Sequence, residues 1–94
     1  MAQDTISSER LARYFDYTKR GIEEAKNALN SERRKEALDF LDMASRYYSD
    51  AKHFFEKGDV VTAFAALNYA HGWLDAGARI GLFDVHNSEL FTVD

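Results

Sequence analysis

Two stretches of this chain set their core-type residues at one repeated spacing. Leu11, Phe15, Thr18, Ile22, Ala25 and Leu29 follow at steps of four, three, four, three and four, and Ala37, Leu41, Ala44, Tyr48, Ala51 and Phe55 repeat those steps. Such spacing stacks side chains along one side of an α-helix, whereas a strand would alternate them residue by residue. No proline interrupts either stretch or any other part of the 94 residues, so the helices can run at full length.

The break points are marked by their own chemistry. Ser7 or Ser8 can cap the first helix, and Asn30-Ser31 separates it from the second, with Ser31 as the expected cap and Glu32 near the positive end of the dipole. Phe40, Met43, Tyr47 and Phe54 widen the second seam to about 160° of the helix surface, enough for two neighbours. Gly58 can take the left-handed conformation that ends a helix, and Asp59 then stands where a cap for the third helix belongs. Connections this short force sequential helices antiparallel. The expected fold is therefore all-α, a three-helix up-and-down bundle forming a single domain over 1–94, with helices near 8–29, 32–57 and 60–80 and a short C-terminal tail at 82–94. A chain of this length supports one modest core.

The third helix departs from the amphipathic pattern. Val60, Ala63, Phe64, Leu67, Ala70, Leu74 and Ala78 supply a core face, yet the opposite side is built of Val61, Ala65, Tyr69, Gly72 and Ala76, with Trp73 beside them, where a solvated helix carries Lys, Glu or Arg. An apolar face of that extent is rarely left open on a monomer. Its cover is the tail, a second copy or another protein. The tail, with Leu82, Phe83, Val85, Leu90, Phe91 and Val93, is too apolar to be freely solvated, and packing on its own bundle or on a partner are both open to it. Gly72 and Gly77 each cost the helix about 1 kcal/mol relative to alanine, which calls for a close approach by a neighbour. The expectation is a homo-oligomer or a docked protein partner, held by Val61, Ala65, Tyr69, Gly72, Trp73 and Ala76.

A polar line shares this helix. Asn68, His71, Asp75 and Arg79 lie at steps of three, four and four, aligning an amide, an imidazole, a carboxylate and a guanidinium. Asp75 could orient His71 as a general base, with Asn68 and Arg79 holding a small polar, anionic or nucleotide-like ligand. The plainer alternative is a boundary stripe in which His71 and Asp75 pair and Arg79 covers the helix end. No nucleophile or second carboxylate accompanies the line, which favours the boundary stripe, with a small-ligand or nucleotide-related binding or processing site as the alternative. Two ligands on one helix, or Asp50-x-x-His53 on the second, make less than a metal site, and no metal or cofactor is expected. Arg79 and His86 stand at a spacing used by HEPN-type helical ribonucleases, but Gly81 between them ends the helix, so the pair would not project together.

Twelve basic and sixteen acidic residues give a net charge of -4 with the signs interspersed, which disfavours nucleic acid as a partner. There is no cysteine for a disulfide framework, no apolar run that would span a bilayer, and no basic-then-apolar leader at Met1-Ala2-Gln3-Asp4. A cytoplasmic location with no membrane partner is the expectation.

The segments Tyr47 to Asp59 and Ala63 to Gly77, above all Tyr69-Ala70-His71-Gly72-Trp73-Leu74-Asp75-Ala76-Gly77, resemble the archaeal domain of unknown function 357 family. The resemblance covers most of the second and third helices, and the first matches in pattern. It implies a small three-helix up-and-down bundle of archaeal origin, hints at an accessory role, and implies no established activity.

Overall fold

The computed structural model describes residues 7–91 and contains three α-helices, α1 (Ser8–Lys26), α2 (Arg34–Glu56) and α3 (Val60–Arg79), with a 3-10 turn at Ser31–Arg33. The Ser7 hydroxyl caps α1 by accepting from the Arg10 N–H at 3.1 Å. Asp59 caps α3 by accepting from the Thr62 N–H at 3.1 Å. Gly58 and Gly81, at φ of 82° and 83°, end α2 and α3 in the same way. At each, the N–H of the following residue reaches back to the last turn, Asp59 to the Phe54 carbonyl (2.9 Å) and Leu82 to the Gly77 carbonyl (2.8 Å). This is the Schellman arrangement, which needs a residue free to turn left-handed.

The first connection differs from the expected one. Leu29 leaves α1 and forms an isolated antiparallel bridge with Phe83, in which the Asn30 N–H donates to the Leu82 carbonyl (2.9 Å) and the Asp84 N–H to the Ala28 carbonyl (2.8 Å). The cap here is Asn30, not Ser31. Its Oδ1 accepts from the Glu32 N–H at 3.0 Å, while its Nδ2 donates to the Gly81 carbonyl at 2.9 Å. An amide can do both at once; a serine hydroxyl cannot span that distance.

The bundle runs up, down, up. Arg33, at the start of α2, donates from Nη1 to the carbonyl of Ile80 just past α3 at 2.6 Å, which makes α2 and α3 antiparallel. At the other end Leu11 and Phe15 of α1 line one depression with Tyr48 and Phe55 of α2 and Val60 of α3. Every seventh residue along each buried seam is fully enclosed: Leu11, Thr18 and Ala25; Ala37, Ala44 and Ala51; Ala63, Ala70 and Gly77. The side contacts Tyr47–Tyr69, Phe40–Trp73 and Arg33–Ile80 fix a register that sets Ala51 level with Ala63, Ala44 with Ala70 and Ala37 with Gly77. Small residues facing small residues let two backbones approach closely, and α2 and α3 accordingly make the most extensive contact in the bundle. Thr18, the one hydroxyl in the seam, is satisfied by donating to the Tyr14 carbonyl at 2.8 Å.

The tail packs on its own bundle. Leu82, Phe83, Val85, Leu90 and Phe91 are buried in one cluster with Ala25, Ala37, Ala44 and Leu74. Asn87 fastens the segment to α1 by donating to Glu24 at 3.2 Å, and Arg20 reaches Glu89 at 3.3 Å. This route follows the α1–α3 groove, away from the outer side of α3. Thr92 and Val93, the end of the expected tail alternation, lie outside the described residues. Among the described residues, no helix is long and apolar enough to cross a membrane.

Candidate functional site

With the tail committed elsewhere, the outer side of α3 is open. Val61, Ala65, Tyr69, Gly72 and Ala76 are all exposed, Val61 by 65% and Tyr69 by 63%. Trp73 is half-buried against Phe40 of α2, edge to face with ring centroids 5.0 Å apart. Tyr69 leans the same way and stacks on Tyr47 at 5.2 Å. Between them lies a shallow apolar groove of about 330 Å³, lined by Phe40, Tyr69, Gly72, Trp73 and Ala76. The two glycines of α3 prove unlike. A β-carbon on Gly77 would strike the Phe83 ring, 2.9 Å from Cδ2 and closer still to Cε2, whereas one on Gly72 would meet nothing within 4 Å. Close packing inside the chain accounts for Gly77 and leaves Gly72 without an internal reason.

The polar line is divided by the fold. Asn68, His71 and Asp75 line a depression of about 330 Å³ with Tyr14 and Tyr17 of α1 and Ser88, Glu89, Leu90 and Phe91 of the tail. Arg79 does not reach it and lies exposed at the end of α3. His71 is half-buried, and its Nε2 is buried without a hydrogen-bond partner. Ser88 thus shares the depression with a histidine and an aspartate, and its hydroxyl is not bonded to the imidazole Nε2. Burial pushes the His71 pKa below 6.5, and the Asp75 carboxylate opposes that shift in part.

This shift sets a pH dependence. An imidazole whose pKa is lower folded than unfolded binds fewer protons in the native state as pH falls below 6.5, so its contribution to stability is present above that value and lost as pH falls through the folded pKa. Asp75 on α3, Tyr14 and Tyr17 on α1 and Glu89 on the tail are the ionisable groups around it. Thermal melts between pH 7.5 and pH 5 should show a decline in Tm that is smaller in His71→Gln. An equal decline in both would remove His71 as its source.

Another depression, of about 490 Å³, opens at the α1 N-terminal end, lined by Leu11, Phe15, Tyr48, Phe55 and Val60 together with Ser8, Lys52 and Glu56. Sequence reading missed it. Its one signal is Phe55, which falls on the seam yet is 51% exposed, its ring 5.6 Å from that of Phe15. Among the described residues, no three His, Cys, Asp or Glu side chains gather as metal ligands. His86 is exposed and paired with Asp84 at 2.9 Å, and Gly81 turns the chain between it and Arg79.

No curated protein and no solved structure matches the chain. A family model, described as Protein of unknown function (DUF357), matches residues 13–83. That span runs from the second turn of α1 through both faces of α3 to Phe83, the residue that closes on Gly77, and it places the chain in the DUF357 family.

Proposed function

We propose that this protein is a helical interaction domain that docks a protein surface through the outer side of α3 and the adjoining strip of α2. The observation that carries the reading is the open, charge-free line of Val61, Ala65, Tyr69, Gly72 and Ala76 beside the Phe40–Trp73 groove. The apolar tail, by contrast, has found cover on its own bundle. Water against such a face is costly, and a complementary apolar surface relieves it. Gly72 supports the same reading, since it forgoes about 1 kcal/mol of helix propensity at a place where only an incoming group gains from the missing side chain.

Ala76→Glu tests the assignment. The side chain is exposed, so the variant should keep its helical circular dichroism and lose association by light scattering, because docking would bury an unpaired carboxylate. Association at wild-type strength would sink the assignment. A second reading places a small ligand in the Asn68, His71 and Asp75 depression, favoured by the unbonded buried Nε2 of His71. That reading requires a ligand retained in native mass spectra of the purified protein and lost in His71→Ala.

A further inference from the structure

We infer that the occupant of the α3 face is a second copy of this chain, laid antiparallel so that Tyr69 of each copy covers Gly72 of the other. The inference rests on the docking reading above and names its partner. Its starting point is the order of residues along the exposed line: Val61, Ala65, Tyr69, Gly72, Ala76 and Ile80, at steps of four, four, three, four and four. The steps are the same read in either direction. A two-fold axis between Tyr69 and Gly72 therefore brings Val61 level with the second copy's Ile80, Ala65 level with its Ala76, and Tyr69 level with its Gly72. In a closed two-fold contact each such pair occurs twice, once from each side.

The sizes match as well as the spacing. Exposed aliphatic residues meet at the ends, Val61 at 65% and Ile80 at 48% exposure, alanine meets alanine next, and at the centre a ring meets a residue with no side chain. The flank is also right. A two-fold axis of this kind keeps α2 of both copies on one side of the contact, and Tyr69 leans toward α2, where it stacks on Tyr47. The groove between Phe40, Gly72, Trp73 and Ala76 lies on that same flank, level with the arriving Tyr69. Its volume of about 330 Å³ leaves room for a phenol ring.

Charge is compatible with self-pairing. None of the six residues is acidic or basic, so the line itself brings no like charges together, and antiparallel helices set opposite dipole ends side by side. A strongly charged partner would find no counter-charge along this line. The line is about 28 Å long at the helical rise, and two packed helices present a layer about 20 Å wide. Each copy can then cover about 600 Å², near the lower bound of specific interfaces. A reversible dimer, populated at micromolar concentration and above, is the expected state.

The chain has no cysteine, so disulfide trapping can read the register. Ala65→Cys and Ala76→Cys both replace exposed residues. Mixed and oxidised together, they should give a cross-linked heterodimer. Each alone should give none, because like positions are separated by about 16 Å along the antiparallel pair, beyond disulfide reach. Cross-linking of either variant with itself at the mixed yield would overturn the antiparallel register, and docking by this face would stand. A wild-type protein that stays monomeric at millimolar concentration would overturn the second copy as occupant and leave the face to a different protein. A dimer indifferent to Ala76→Glu would overturn both readings.

Discussion

Phe83→Ala should lower the unfolding free energy by about 3–5 kcal/mol, the cost of removing a buried aromatic ring and leaving the space unfilled. Phe83 is 2% exposed and sits in the cluster that joins the tail to α1, α2 and α3. Its backbone takes part in the bridge to Leu29, so the ring anchors the segment that ends α3 and meets the end of α1. The reciprocal change is Gly77→Ala. Alanine is the better helix former by about 1 kcal/mol, yet its β-carbon would overlap the Phe83 ring edge, and overpacking a closed site costs about 1–3 kcal/mol. Gly77→Ala should therefore destabilise despite its higher propensity. Urea unfolding followed by circular dichroism checks both, and the double variant should lose less than the two single losses added together, since removing the ring removes the clash. Additive losses would mean that Gly77 and Phe83 are not coupled.

The second large effect is expected at Gly72, with opposite signs for folding and association. Gly72→Ala should stabilise the isolated domain by about 1 kcal/mol, because nothing lies within 4 Å of the added carbon. The same methyl group stands where the second copy's Tyr69 would rest, and should weaken the dimer about tenfold. Gly72→Arg goes further, to a loss of about 100-fold or more, because a guanidinium would be buried without a partner. Thermal melts at low protein concentration and sedimentation at high concentration separate the two quantities. A Gly72→Ala protein that is both more stable and equally associated would show that Gly72 has no docking role.

Much of the architecture is legible in the residues because its causes are local. The four-three spacing, the glycines at 58 and 81 and the Asp59 cap each act within a turn or two of helix, and three helices form in the order they indicate, with α1 ending at Lys26 instead of Leu29 and α2 beginning at Arg34 after a 3-10 turn. What the sequence conceals depends on long-range contacts. Leu29 continues the α1 seam in sequence, but its backbone is drawn into a bridge with Phe83, more than fifty residues away. Asn30 takes the cap from Ser31 because the end of α3 offers its amide a second bond. The candidate site divides along the same boundary. The uncharged composition of the α3 outer side is local information, and that side is open in the structure. Which neighbours share the polar line is not local: the tail and two tyrosines join Asn68, His71 and Asp75, and Arg79 falls outside the group. Likewise Gly72 and Gly77 look alike as letters, and only the position of Phe83 separates their roles.

Trp73 is the only tryptophan in the chain and lines the groove beside Gly72, so its emission reports directly on whether that face is covered. The decisive measurement is the emission maximum of the wild-type protein over a dilution series from millimolar to nanomolar, with mass followed by light scattering over the range it can read. Docking of two copies through α3 predicts a shift to longer wavelength on dilution, in step with a halving of mass, and an emission already at the dilute value in Ala76→Glu. A mass that halves while the emission stays fixed would place the contact elsewhere on the molecule and contradict the account.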